Sequence, residues 1–159
     1  MSAKEIRIRP YEAKDAPEIV RLFYETIRSV NLADYSQEQV EAWAPEVPDP
    51  EVWNARLSGR RTLVAEEEGE VVGFAELESD GYLDTFYCRK DLVGRGVGSR
   101  LYRAVEQVAL TLGCGRLFTE ASITARPFFE RHGFRAIRER MAVRRGVELT
   151  NFAMEKRLR

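Results

Sequence analysis

The feature that most constrains this chain is Gly94-Arg95-Gly96-Val97-Gly98-Ser99, three glycines at alternate positions between a strand-like run and a long helical stripe. Glycines let a ligand approach the backbone closely, and the amides at a helix N-terminus point together at one spot where the helix dipole favours negative charge. Such a turn fits a phosphate, and Arg89, Lys90, Arg95, Arg100 and Arg103 stand around it against one acid, Asp91. A merely tight strand-to-helix turn is the plainer explanation of the same glycines. The Walker string G-x-x-x-x-G-K-[ST] is absent. A dinucleotide fingerprint would need glycine at Ser99 and a parallel β-α-β unit, so both nucleotide classes are disfavoured.

The rest of the chain places this turn. Ile6 to Arg9 alternates apolar and basic residues and stops at Pro10, a short first strand. Asp15 as N-cap and Pro17 open a helix whose apolar residues are Ile19, Leu22, Phe23 and Ile27. Ser36 with Gln39 has capping-box spacing and predicts a second helix to about Trp43. Pro45, Pro48 and Pro50 then predict a stiff surface loop between Trp43 and Trp53. Thr62 to Glu67 and Val71 to Glu78 form a hairpin across Glu68-Gly69, and Tyr82 to Cys88 adds a third strand after Asp80-Gly81. Val97, Leu101, Val105, Val108 and Leu112 follow helical spacing up to Gly113. A strand at Arg116 to Ala121 follows, then a short helix from about Thr124 to His132, with Thr124 as N-cap and Pro127 at its third position. Two last strands run about Phe134 to Arg144 and Thr150 to Lys156.

Composition narrows the chemistry. A chain of 159 residues, 44% hydrophobic and 32% charged, is expected to fold as one domain over 1–159. It has no apolar run long enough to span a membrane and no signal-like start, so a cytoplasmic location is expected. One histidine, His132, and two cysteines, Cys88 and Cys114, are too few for a structural zinc site, and a disulfide between the two is not expected. No G-x-S-x-G accompanies the histidine, which weakens a serine-hydrolase reading. The net charge of −1 hides a basic segment after residue 125, where arginines alternate with Ala136, Ile137, Met141 and Val143. Solvated strand faces explain that alternation better than a nucleic-acid groove.

Read as Val93-Gly94-Arg95-Gly96-Val97-Gly98, the turn resembles the signature [QR]-x-x-G-x-[GA] of the GCN5-related N-acetyltransferase (GNAT) superfamily. The later SITARPFFERHGF is similar to that family's N-x-x-A-x-x-F-Y-x-x-x-G-F pattern, and the resemblance covers nearly the whole chain. It implies an α/β (α+β) fold: a central mixed, mainly antiparallel sheet of about seven strands, flanked by about four helices. Strands four and five would splay to admit the pantetheine arm of acetyl-CoA. The amides of Arg95 to Ser99 would hold the pyrophosphate, with Val93, Gly94, Gly96, Val97 and Gly98 in the same cradle. The backbone of Phe86 and Cys88, beside Tyr87, would pair with the pantetheine like an added strand. Ser122, Ala125, Phe128, Phe129 and Arg131 would complete the cofactor site. Three positions depart from the pattern: Val93 for Gln or Arg, Ser122 for Asn, and Phe129 for the tyrosine that protonates the departing thiolate.

The implied reaction is metal-free direct attack of an amine, from a small molecule or peptide, on the thioester. The amine must be neutral, so a carboxylate or a water relay takes its proton. Glu76, Asp84 and Glu120 are the candidates, although solvent-facing or salt-bridged roles explain each of them more plainly. Tyr87 and Tyr82, expected on one face of their strand, are the substitutes for the missing acid at Phe129. A thiolate whose conjugate acid has a pKa of about 8.5 leaves tolerably well, so losing that acid need not abolish turnover. An acyl-enzyme on Cys88 is disfavoured for want of a base. Tyr24, Tyr35, Trp43 and Trp53 would line the acceptor pocket, though core packing explains any one of them. A homodimer stays open, and neither nucleic acid nor membrane is expected as a partner. The rival reading is a non-catalytic acyl-CoA-binding or regulatory domain that keeps the cradle and lacks turnover, as the departures at Val93, Ser122 and Phe129 suggest.

Overall fold

The computed structural model describes residues 5–92 and 95–158, so Val93 and Gly94 at the start of the expected cradle lie outside the described residues. Four antiparallel strands, β1 (Ile6–Pro10), β2 (Arg61–Glu67), β3 (Glu70–Leu77) and β4 (Leu83–Cys88), form one sheet in that spatial order. Helix α1 (Ala16–Ser29) and helix α3 (Pro50–Ser58) cover one face, and α4 (Val97–Thr111) covers the other. With both faces covered, β3 is buried from Val71 to Leu77, and that includes one carboxylate, Glu76. On α4 the buried stripe runs through Val97, Leu101 and Val105 as expected. It continues through Tyr102 and Ala109, leaving Val108 and Leu112 half-buried at its margin.

A second antiparallel sheet has the order β5-β7-β6, from β5 (Arg116–Ser122), β6 (Arg135–Arg144) and β7 (Val147–Arg157). The short α5 (Arg126–Arg131) joins β5 to β6. Its N-cap is Ala125 rather than Thr124, and Pro127 falls in the first two positions, where a missing N–H costs nothing. Ser122 Oγ accepts from Ala125 N at 3.0 Å and tightens the approach to this helix.

Two helical expectations change. The described chain holds five α-helices rather than about four, because α3 takes over the last part of the expected proline loop, from Pro50 onward. Asp49 Oδ1 accepts from Glu51 N at 2.9 Å and Pro50 takes the first position, so this proline starts a helix instead of punctuating a loop. Helix α2 (Gln37–Trp43) has the expected reciprocal capping box between Ser36 and Gln39. Asp15 stands at the α1 N-cap position without capping it. Its buried carboxylate turns back to Arg9, with both guanidinium bonds at 2.8 Å.

Among the described residues the strands fall into two antiparallel sheets joined by the parallel bridge between Tyr82 and Phe118, in keeping with the expected mixed sheet whose fourth and fifth strands splay. Phe118 N donates to Gly81 O at 3.1 Å and Thr119 Oγ1 to Leu83 O at 2.7 Å. Past these, among the described residues, no backbone bond joins β4 to β5, and the two strands part as the family resemblance implied. Between β3 and β4 the register steps from Leu77 opposite Leu83 to Glu76 opposite Thr85, which leaves Asp84 as a bulge.

Candidate active site

The opening between β4 and β5 presents unpaired main chain. Arg89 N donates to Val72 O at 2.8 Å, which fixes the ladder phase: Arg89 and Tyr87 exchange bonds with β3. Phe86 and Cys88 therefore turn their N–H and C=O groups away from β3, toward the parting strands. The Cys88 carbonyl already accepts from Thr26 Oγ1 at 2.9 Å, whereas the Phe86 groups have no such partner among the described residues. A cavity of about 490 Å³ lies here, walled by Phe86 and Cys88, by Gly96, Gly98 and Ser99, and by Phe128 and Phe129 of α5. Ala125 and Arg131 also reach it.

The start of α4 is built for close approach. Gly96 has φ +88°, and a Cβ there would meet nothing within 4 Å among the described residues, so that side of the turn is open. Amides in the first turn, those of Val97, Gly98 and Ser99, have no intrahelical acceptors. The Val97 side chain is in the core, so only its amide serves the cavity. A Cβ on Gly98 would lie 3.0 Å from Phe128 Cε2, so this glycine lets α5 pack on the helix start. Thr124 Oγ1, in the cavity wall, is buried without a hydrogen-bond partner, which suits a ligand with polar groups along its length.

The surrounding charge is less than the sequence suggested. Arg89 is held by Asp91 at 2.7 Å and Glu70 at 3.0 Å, Lys90 lies 3.9 Å from Glu25, and Arg100 donates to Ile6 O. Arg95 and Arg103 have no carboxylate partner among the described residues, and Arg95 is exposed beside the turn. Ser99 Oγ is 3.2 Å from His132 Nε2, whose pKa is lowered by burial and by Lys156, Arg103 and Arg131. Phe129, at the family's tyrosine position, is buried against Phe86, Phe128 and Phe134 and offers no proton.

A second cavity, of about 340 Å³, lies on the far side of Tyr87 and Ser122, two residues that line both cavities. Its aromatic walls are Tyr35, Trp43 and Trp53 as expected, together with Phe23. Tyr24 is not among its lining residues and lies under the Arg28 guanidinium instead, 5.2 Å from Cζ to ring centre. Trp53 sits on α3, not on a loop, and its ring is 4.7 Å from Phe23. The Tyr35 hydroxyl donates to Thr150 O at 2.6 Å and accepts from Ile123 N at 2.9 Å, so it clips β5 to β7.

Tyr82 and Tyr87 both reach this cavity. Five residues apart on a regular strand they would face opposite ways, and the bulge at Asp84 brings them to one side. Burial raises the Tyr87 pKa far above the ordinary phenol value, so its hydroxyl stays protonated and can donate. Of the three candidate bases, Asp84 and Glu120 line the cavity. Asp84 pairs with Arg60, and Glu120 accepts from Tyr82 and pairs with Arg140. Glu76 reaches neither cavity. Fully buried, it takes Arg56 at 2.7 and 3.0 Å, Arg60 at 3.1 Å and Thr85 Oγ1 at 2.8 Å, which fills its acceptor sites. Sequence reasoning missed Arg144, Arg145 and Asn151 in the wall of this cavity. The first two belong to the basic segment read as a solvated strand face.

The family model described as acetyltransferase (GNAT) domain matches residues 31–156. The chain belongs to the GNAT acetyltransferase family. It is 32% identical over 149 residues to the uncharacterized N-acetyltransferase YafP of Escherichia coli (strain K12), covering 94% of each chain. It is 37% identical to a GCN5-related N-acetyltransferase of Rhodopseudomonas palustris whose crystal structure superposes with a TM-score of 0.92 over 99% of both chains. The PaiA N-acetyltransferase of Thermoplasma acidophilum, solved in complex with coenzyme A, shares the GNAT fold at 19% identity, with a TM-score of 0.79 over 96% of this chain and 99% of that one. No helix among the described residues of this GNAT chain is long and apolar enough to cross a membrane.

Proposed function

We propose that this chain transfers an acetyl group from acetyl-CoA to an amine by direct attack in a ternary complex. The observation that carries this reading is that the two cavities meet at Tyr87 and Ser122, so a thioester from one side and an amine from the other would share one junction. Acetyl-CoA supplies the activated acetyl group. The first-turn amides of α4 hold its pyrophosphate, and the outward backbone of Phe86 and Cys88 lines up the pantetheine. Ser122 keeps its hydroxyl hydrogen for the ligand, since its oxygen accepts from Ala125 N. Glu120, or Asp84 in its place, takes the amine proton through water, and the amine nitrogen bonds the thioester carbon. As the C–S bond breaks, Tyr87 donates its proton to the sulfur in place of the absent tyrosine at Phe129. A single domain working in the cytoplasm, with a small-molecule or peptide acceptor and a homodimer left open, accompanies this reading.

Thermal shift with acetyl-CoA, CoA and ATP in parallel tests it, because a ligand at about 100 times its Kd stabilises by roughly 2.7 kcal/mol. A shift with both CoA species and none with ATP, followed by thiol release on adding amines, is the expected result. Binding without thiol release across a broad amine panel would instead favour a non-catalytic acyl-CoA-binding domain.

A further inference from the structure

We propose that the acceptor carries a carboxylate besides its amine, on an aromatic or otherwise apolar body, and that Arg144 and Arg145 receive that carboxylate. The inference rests on the acetyltransferase reading of the cavity lined by Tyr87. The two acids there are already neutralised, Asp84 by Arg60 and Glu120 by Arg140. Arg56, in the same wall, is taken by Glu76. Arg144 and Arg145 are different, because among the described residues neither has a carboxylate partner. Their guanidinium bonds go to main-chain oxygens, Arg144 Nη1 to Val143 O at 3.3 Å and Arg145 Nη1 to Ala42 O at 2.6 Å. Each keeps donors free, and a guanidinium fork matches a carboxylate in geometry and charge.

Their position is fixed by the fold. The β6–β7 turn has Arg145 at φ +49° and Gly146 at φ +78°, the two-residue type I′ geometry. The bond to Ala42 O, near the end of α2, anchors the turn over the mouth of the cavity. Asn151 Oδ1, buried in the same wall without a partner, adds an acceptor suited to an amine N–H. The cavity, about 340 Å³, is within the size of small-ligand sites, so one compact molecule spans from the arginines to Tyr87. Trp43, Trp53 and Phe23 would face its apolar body.

Two measurements test this. Thiol release is compared for matched acceptors: L-phenylalanine against L-phenylalaninamide and phenethylamine, and 4-(aminomethyl)benzoate against benzylamine. The carboxylate member of at least one set is expected to lead in kcat/KM by about tenfold, the scale of a charge-assisted hydrogen bond. The lead should collapse in Arg144→Gln and in Arg145→Asn, the latter chosen because asparagine keeps the positive-φ turn. Calorimetry with 3-phenylpropionate and 3-phenylpropionamide needs no turnover. The acid alone should bind, about tenfold weaker in either variant, and more weakly as salt is raised.

Equal use or binding of charged and neutral members, no binding of the acid to the wild type, or affinities unmoved by both substitutions would overturn the proposal. Acetyl-CoA thermal shift on the same preparations separates the two readings. A lost cofactor shift with carboxylate binding intact removes the acetyltransferase. An intact cofactor shift with no carboxylate preference removes only the arginine site.

Discussion

Tyr82 donates its phenolic hydrogen to Glu120 Oε1 across 2.9 Å, from one sheet to the other, beside its own bridge to Phe118. The proton acceptor proposed for the reaction is thereby held at the place where the strands begin to part. Glu120→Gln keeps the shape and a hydrogen-bond acceptor but cannot take a proton. It is expected to lower kcat by about 10²-fold, the usual scale of general-base assistance, with acetyl-CoA affinity unchanged. A kcat–pH profile that overlays the wild type would take Glu120 out of the role, and Asp84→Asn would then be the variant to measure.

Tyr87 is expected to be the proton donor to sulfur. Because its pKa is raised, the hydroxyl is protonated at every pH where the enzyme would be assayed, so its ionisation should leave no limb in the neutral range. Tyr87→Phe preserves the ring packing on Phe23 and Phe74 and should lower kcat by roughly 10- to 100-fold without moving cofactor affinity. Unchanged turnover would mean that the thiolate leaves unassisted.

Cys88 should be chemically quiet. Burial pushes its thiol up to about 12, so the thiolate is scarce at neutral pH. Alkylation by iodoacetamide is expected to be very slow at pH 7 and to accelerate about tenfold per pH unit on the alkaline side. Cys88→Ala should retain turnover, and rapid mixing should show no burst of CoA release. An acetylated Cys88 peptide in mass spectrometry would contradict all three.

Glu76→Gln is expected to act on stability first. It leaves Arg56 and Arg60 without their shared carboxylate, the kind of broken buried pair that costs about 3–5 kcal/mol. Arg56 is 38% exposed and Arg60 23%, so solvent screens part of the loss and about 2–3 kcal/mol is expected. A denaturant midpoint equal to that of the wild type would contradict the assignment.

Gly96→Val puts a β-branched side chain at φ +88° and into the open space where the pyrophosphate is proposed to lie. A lower melting temperature without ligand reports the strain, and loss of the acetyl-CoA increment reports the blocked cradle. If the increment survives, the cradle does not hold the pyrophosphate.

What the sequence disclosed was mostly local. The capping box of α2, the Glu68-Gly69 hairpin and the apolar stripe of α4 follow from residues a few positions apart, and each stands near where it was expected. The glycine turn was legible for the same reason. Helix α3 was carried by Asp49-Pro50, a start signal overlooked among neighbouring prolines. Partnerships set by distant strands were not legible. Asp91, two residues away, could be seen beside Arg89 in the sequence, but Glu70, which reaches it from β3, could not. For Glu76 a salt-bridged role was the plainer reading, yet its arginine partners came from the unrecognised helix and the residues just after it. The Asp84 bulge has no glycine to announce it, so no local signal in the chain accounts for the shared face of Tyr82 and Tyr87.

That bulge matters for more than the two tyrosines. Between Leu83 and Cys88 the fourth strand spends six residues on a stretch that its neighbour covers in five, Gly73 to Leu77. The surplus residue comes directly after Leu83, the last point of β4 held by β5 through Thr119. Extra length on one strand bends it, so the surplus works as a wedge driven in at the apex of the slot. Deleting Asp84 would equalise the count, but it would also turn Tyr82 and Leu83 to the opposite faces, taking Leu83 out of the core. One inserted residue therefore serves both the opening of the slot and the closing of the core beneath it.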